Sequence, residues 1–537
     1  MEGQTVKGDA TTEAGRGIAG AAGIIALGNV VSRILGLVRV TVIADLFGAT
    51  GLVSAYQIAA TVPTMIYDLL IGGMLSSALV PVFSEYAAAR TQEELWRIVS
   101  VVLSLTAVGL GLFAVVLELL APQVAWLLGG GLEAELQAVA TTSIRIVVPA
   151  VLLLGLSGVV TGLLYTLKCF TYPAFGAAVF NVGIILGALL LSRPLGIYSL
   201  VIGTVLGAGL QLAIQLPGLK GSLFTRLSFS FDLSHPGLRR IALLYAPIVL
   251  GLVISQVQVA IDRNLASRTG EQSIAWMQNA TNLIQFPHGL VAVAISLAVL
   301  PSLSQLSATA DWIGYRRTLA MGLRMVVVLI LPATVGLFIM AKPIIALIFE
   351  HGAFTAYDTT WTALALRCYL LGLVFAAVDW PLNYAFYARQ DTLTPASVGV
   401  LSVFVYLMVA LPLMKPLGMI GLVLADSAKH SAHALTMLVL LHRRVGSLRG
   451  HGMGATTFKA ALASAVMGAL THWTMTWLQG LVNGGKLWSK LVVVGGAGLT
   501  GLIVYGVLIT LMGVEEVKVV REMIRTRLLG SLTGGKG

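Results

Sequence analysis

Residues 32 to 39, SRILGLVR, place Arg33 and Arg39 inside an apolar run from about Gly17 to Phe47. A guanidinium keeps its charge when desolvated, and its paired N–H donors match the oxygens of a phosphate. At the centre of a membrane helix such a charge costs roughly 2.5 to 3.5 kcal/mol on insertion scales, so it normally faces a wet cavity or a partner. The spacing sets the two arginines about 9 Å apart along a helix axis and about 120° apart around it. They can border one broad cavity, but not one narrow stripe. Gly36 between them leaves room for a headgroup or a backbone to approach. This chemistry points to an anionic, phosphate-bearing substrate. The competing reading, an arginine snorkelling to the interface, applies better to Arg33 than to Arg39.

The elements that position these residues are membrane helices. The chain has 537 residues, 57% of them hydrophobic and 11% charged, with a mean hydropathy of +0.91. That is far more apolar than a soluble domain. Stretches of the roughly 20 apolar residues a spanning helix needs recur from Gly17 to Met512, about fourteen in all. The expected fold is an all-α polytopic membrane protein, with no segment long enough for a separate soluble domain. The polar tail Met1 to Arg16 leads into a full-length span, unlike a signal peptide. Cys169 and Cys368 read as ordinary small residues, without a metal or disulfide framework.

Charge gives the orientation. With the N-terminus in the cytoplasm, the tails and even-numbered loops hold about three times as many Lys and Arg as the opposite loops, the pattern of cytoplasmic faces. Both termini are expected inside. Five basic residues remain within spans: Arg33, Arg39, Arg145, Arg367 and Lys429. The net charge of +11 is then mostly loop charge beside anionic membrane lipid and calls for no nucleic acid. The tail VEEVKVVREMIRTRLL reads equally as a basic interfacial helix or a solvated one.

The chain also repeats itself. A shift of 220 residues aligns Ala55 to Ser84 with Ala275 to Ser304 without a gap, matching Thr61 with Thr281, Ser76 with Ser296 and Pro81 with Pro301. A shift of 222 superimposes Arg145 on Arg367, Tyr165 on Tyr387 and Pro173 on Pro395. Six spans separate the equivalents, which makes two parallel six-helix repeats followed by two C-terminal helices. The expected divisions are a tail over 1–16, an N-terminal lobe over 17–220 and a cytoplasmic linker over 221–238. A second lobe follows over 239–444, then the extra helices over 445–512 and a basic tail over 513–537. Such repeats enclose a midplane site that opens alternately to each side.

Further polar residues lie within the spans. Tyr56, Gln57 and Asp68 fall on the second, Gln256 and Asp262 on the seventh, and Gln278, Asn279, Asn282 and His288 on the eighth. For any single Gln or Asn an interhelical hydrogen bond is the commoner role, and it is their density that favours a cavity. Asp426 and Lys429 can pair at i, i+3. His430 and His433 lack a further ligand cluster, which favours packing or a loose ion pair over a metal.

The segments SRILGLVR, LVPVFSEY, VLPSLS, FEHGAFTAYD and FYARQDTLTP resemble the MurJ/MviN lipid II flippases of the MOP superfamily, from about Val31 to Arg444. The resemblance implies a fourteen-helix protein of the bacterial inner membrane that moves undecaprenyl-diphosphate-linked muropeptide, lipid II, to the outer leaflet. It also implies a cationic central cavity and a lipid-tail groove formed by the two extra helices. Membrane lipids and the cell-wall synthesis machinery are the other partners it suggests. Carried onto this chain, it assigns substrate binding to Arg33, Arg39 and Arg145, joined by Tyr56, Gln57, Gln278 and Asn282. Asp262 and Asp426 become the candidates for coupling to a sodium ion or a proton, with no other cofactor. This chain departs from the family where Tyr67, Asp68 and Gly72 replace paired arginines and a glutamate, and where Asn282 replaces an arginine. Asp426 stands in place of a usual threonine and Tyr406 in place of an asparagine. A cavity with fewer cations keeps other readings open: an exporter of another polyprenyl-linked glycan, a MATE-like cation-coupled exporter, a membrane glycosyltransferase or an inactive scaffold. The enzyme reading lacks an acid, base or metal constellation on an aqueous face, and no Walker loop is present to use ATP.

Overall fold

Helix is the only regular structure among the residues described by the computed structural model, 5–69, 74–89, 92–219, 227–482 and 487–516. The first nine helices are α1 (Thr5–Phe47), α2 (Gly51–Tyr67), α3 (Val80–Ala89), α4 (Gln92–Leu119), α5 (Ala121–Gly129), α6 (Ala134–Thr166), α7 (Thr171–Leu195), α8 (Tyr198–Gln215) and α9 (Pro236–Ser267). The rest are α10 (Ser273–Pro287), α11 (Val293–Ala308), α12 (Trp312–Ile348), α13 (Ala356–Tyr387), α14 (Leu393–Leu417), α15 (Met419–Val445), α16 (Met453–Leu481) and α17 (Leu487–Leu511). α1 begins at Thr5, so helix runs through most of the polar tail.

Among the described residues ten helical segments are long and apolar enough to cross a bilayer, and α9 makes an eleventh if its two halves, bent by 54°, form one span. Pro247 lies between those halves and lacks the N–H that would continue the ladder. The fourteen expected spans differ from this count by α1, α2 and α15. α2 has only 17 residues, and α15 carries Asp426, Lys429, His430 and His433, which lower its hydropathy.

The chain divides into two compact units, Met1–Ala275 and Trp276–Gly537. In the first, α7 packs along α8 and α1, α6 packs along α2, α4 and α8, and α9 leans on α5. α7 and α8 come closest through glycine: a Cβ on Gly183 would stand 2.2 Å from Gly207 Cα, and one on Gly187 would stand 2.4 Å from Gly203 Cα. Each helix thus presents a small-xxx-small stripe, which lets backbones touch where lipid offers no hydrophobic drive. Residues 227–235 run beside α4, with the Ser228 and Ser230 amides donating to Ser100 Oγ and Ser104 Oγ at 3.1 and 3.0 Å. Part of the expected linker, 221–226, and the tail from 517 onward lie outside the described residues.

In the second unit α13 packs on α15 and α12, α14 packs on α15, and α16 and α17 pack on each other and on α12. The pairings α4–α6, α6–α8 and α7–α8 of the first unit recur here as α12–α13, α13–α15 and α14–α15. The backbone repeats too. Lys168 and Gln390, related by the offset of 222, are both left-handed, at φ 57° and 59°, and Gly196 and Gly418, related by the same offset, sit at φ 53° and 56°. The eighth span passes through a π turn at His288–Ala292, and the second leaves α geometry at Asp68, the residue 220 before His288. Such turns free backbone groups inside a span and often mark functional positions.

Candidate functional site

The predicted site residues fall into two groups, one in each unit. In the first unit, Asn181 of α7 donates from Nδ2 to Ser32 O at 3.2 Å and to Ala177 O at 3.0 Å, clamping α1 one residue before Arg33. At Gly36 an added Cβ would lie 3.8 Å from that same Asn181 Nδ2, an ordinary contact, so Gly36 faces the clamp without being required by it. Gly28 packs harder still: a Cβ there would meet Ala174 O at 2.2 Å. The face of α1 that carries the arginines is thereby fixed in rotation.

Arg33 is half-buried. Arg39 is deeper, and its Nε is buried without a hydrogen-bond partner. The Tyr56 phenol of α2 lies close enough to interact with it electrostatically. Tyr56 is 4% exposed, and its Oη sits 3.2 Å from Thr204 Oγ1 of α8. α2 and α8 therefore meet at this phenol, which also feels the charge of the α1 guanidinium. A buried N–H without an acceptor is costly, and an arriving anion would relieve that cost. Gln57 follows Tyr56 and is half-buried, with its carbonyl accepting from Thr61 Oγ1 at 2.7 Å.

A polar ladder that the sequence reading passed over runs beside this group. Gln211 Nε2 of α8 reaches Ser157 Oγ of α6 at 3.3 Å and Tyr67 Oη at 3.5 Å, and Gln215 Nε2 donates to Ser157 Oγ at 2.8 Å. Its sequence signal is the i, i+4 pair in QLAIQ, on an otherwise apolar span.

Arg145 turns toward α4, where its Nε lies 3.7 Å from Glu118 Oε1, with both side chains 49% exposed. Asp262 is half-buried near the end of α9. That end is pinned: Asn264 Nδ2 donates to Leu127 O at 2.9 Å, and Ser267 Oγ accepts from Gly131 N at 3.0 Å.

In the second unit, Gln278 Nε2 donates to Asn282 Oδ1 at 3.1 Å along α10, while Asn282 Nδ2 is buried without a partner. Trp276 Nε1 donates to Asp358 Oδ1 at 2.9 Å, tying the start of α10 to α13. In the π turn, His288 Nε2 accepts from Trp380 Nε1 at 3.1 Å. One polar pair joins α13 to α15, and a second lies within α15. His433 Nδ1 lies 2.7 Å from Asp379 Oδ1, and Asp426 Oδ1 lies 2.5 Å from Lys429 Nζ. His430 Nε2 is 3.7 Å from Asp426 Oδ2. Both histidines on the twelfth span thus lie beside carboxylates, His433 within hydrogen-bond distance and His430 beyond it. Among the described residues no group of three or more His, Cys, Asp and Glu could hold a metal.

A family model described as lipid II flippase MurJ matches residues 43–491, most of the chain. The chain belongs to the lipid II flippase MurJ family. It is 30% identical over 452 residues to the lipid II flippase MurJ of Burkholderia cenocepacia, covering 83% of this chain and 88% of that one. It is also 30% identical over 514 residues to a probable lipid II flippase MurJ of Vibrio cholerae, covering 92% and 95%. A solved structure of a lipid II flippase MurJ in an inward closed conformation superposes with a TM-score of 0.77 at 25% identity, over 90% of this chain and 97% of that one. A MATE-family transporter of the MOP superfamily shares the fold, with a TM-score of 0.66 at 13% identity over 78% and 95%. Membership makes the chain a multi-pass membrane transporter rather than an enzyme, as the sequence reading expects.

Proposed function

We propose that this chain carries lipid II from the cytoplasmic to the outer leaflet of the bacterial inner membrane by alternating access. The observation that carries the reading furthest is Arg39, whose buried Nε lacks an acceptor beside the Tyr56 phenol, in a chain of the lipid II flippase MurJ family. Arg33 and Arg39 engage the diphosphate. Tyr56, Gln57, Gln278 and Asn282 supply hydrogen bonds to the rest of the headgroup, making up for cations this chain lacks. Arg145 joins them only by releasing Glu118, a half-exposed pair that costs little to break. Asp262 and Asp426 remain the candidates for sodium or proton coupling, and the distribution of loop charge supports cytoplasmic termini.

Direct binding tests the substrate. Purified protein should retain labelled lipid II and release it on Arg39→Ala, with the variant still monodisperse. Retention of lipophilic organic cations in place of lipid II would overturn the reading in favour of a MATE-like exporter.

A further inference from the structure

Within the second unit, α12, α13, α16 and α17 line an open cavity of about 500 Å³. Three cations line it, Lys342, Arg367 and Lys490, against one acid, Glu350. That acid is already engaged: Glu350 Oε1 lies 3.2 Å from Lys490 Nζ, and its other oxygen accepts from Thr359 Oγ1 at 2.7 Å. Lys490 also donates to Ala346 O at 3.0 Å, which holds its ammonium at the end of α12. Lys342 and Arg367 have no carboxylate partner among the described residues.

The internal repeat sharpens the contrast. Arg145 and Arg367 are equivalent by the 222 offset, and Arg145 has a carboxylate, Glu118 on the preceding span, 3.7 Å away. Arg367 instead donates from Nε to Phe338 O at 3.1 Å and lies 5.7 Å from the centre of the Phe338 ring. That arrangement orients the guanidinium without neutralising it. The facing walls of the cavity come from α16 and α17, which have no counterpart in the repeat; they add the polar groups of Gln479 and Ser489.

Depth indicates what enters. The cavity sits where α12 and α16 end and where α17 begins. On the same stretches Trp473, Trp477 and Trp488 are 64%, 54% and 56% exposed. Exposed tryptophans on membrane helices mark the level of the lipid headgroups. A pocket with two uncompensated cations at that level fits a phosphate diester.

We propose that this cavity is a binding site for the phosphate-bearing headgroup of an anionic lipid, separate from the transport site and independent of the transport reading. The test is native mass spectrometry of the full-length purified protein with phosphatidylglycerol and, separately, phosphatidylcholine. Phosphatidylglycerol should be retained in preference, and Lys342→Gln/Arg367→Gln should lower its retention at least fivefold. Arg443→Gln, at the far end of α15, should leave retention unchanged. If the double variant fails to fold, Lys342→Gln alone, at an exposed position, should still lower retention. Unchanged retention by a folded variant, or equal retention of both lipids, would overturn the proposal. Inorganic phosphate provides the third arm: a thermal shift that phosphate saturates, with no further gain from phosphatidylglycerol, would assign the site to a free anion and overturn the lipid source.

Discussion

Lys429 Nζ stands 2.5 Å from Asp426 Oδ1, one helical turn away on α15, inside a span that packs against α13. A tethered ammonium thus sits beside the carboxylate where a mobile coupling cation would otherwise be drawn. His433 Nδ1 lies against Asp379 of α13, so both carboxylates at this seam, Asp426 and Asp379, have a partner on α15.

Removing that ammonium should expose the carboxylate. Breaking a buried pair from one side costs about 3 to 5 kcal/mol, while removing both charges is far cheaper. Lys429→Met should therefore lower the Tm in detergent, and Asp426→Asn/Lys429→Met should recover most of the loss. Sodium chloride should raise the Tm of Lys429→Met above its value in choline chloride, because a cation bound only to the folded state stabilises it. Equal Tm values in the two salts would count against a cation-accepting Asp426.

The glycine contact between α7 and α8 should be intolerant of volume. Gly187→Val sets a Cβ 2.4 Å from Gly203 Cα and 2.8 Å from Ser199 O, backbone atoms that cannot swing aside. Overpacking of this kind costs about 1 to 3 kcal/mol or more. Thermal size-exclusion should show a lower transition for this variant, whereas Gly209→Ala, whose Cβ would meet its nearest neighbour at 4.0 Å, should behave as wild type.

Asp391, in the turn before α14, predicts a pH dependence. Partial burial pushes its carboxyl up, but hydrogen bonds from Thr394 and the charges of Arg444 and Arg389 outweigh that, so the net shift is downward. Thr394 N and Oγ1 lie 3.0 and 2.8 Å from its oxygens, and Arg444 Nη1 pairs with it directly. A folded-state pKa below the unfolded value gives stability that is present above the ordinary carboxylate range and lost as pH falls through the folded value. The Tm gap between wild type and Asp391→Asn should be constant above about pH 5, where an ordinary aspartate is ionised, and close as the pH drops below about 4. A gap that persisted in acid would mean the side chain acts by packing alone.

The first unit's polar ladder offers a fourth check. Ser157→Ala removes the acceptor shared by Gln211 and Gln215 while leaving their amides buried. Unsatisfied buried donors cost about 1 to 3 kcal/mol each, so Ser157→Ala should destabilise more than Ser157→Thr. Equal Tm values for the two would mean the ladder adds nothing.

How much of this was legible in the sequence depends on the range of the contact. The repeat could be read because matching residues hold matching backbone conformations: the offset of 222 that pairs Arg145 with Arg367 also pairs the left-handed residues Lys168 and Gln390. The Asp426–Lys429 pair was equally readable, since i, i+3 spacing fixes the neighbours on any helix. Ser157 with Gln211 and Gln215, 54 and 58 residues away, could not be read, because one polar residue on an apolar span does not announce its partner. The same holds for His433 with Asp379. The motifs that carried the family resemblance prove to be turn chemistry in large part. Thr355 and Asp358 of FEHGAFTAYD form a capping box at the start of α13, and Asp391 of FYARQDTLTP fastens the start of α14. They mark the fold more than the cargo, while Arg39, drawn from an apolar run, is the residue whose surroundings bear on substrate.

The measurement that tests the central claim most directly is complementation of bacteria depleted of their own lipid II flippase, with lipid II at the outer leaflet quantified. Expression of this chain should restore exposure, and Arg39→Ala, present at wild-type level in the membrane, should abolish it. Full exposure with Arg39→Ala, or none with the wild-type chain despite confirmed membrane expression, would contradict lipid II flipping through this arginine.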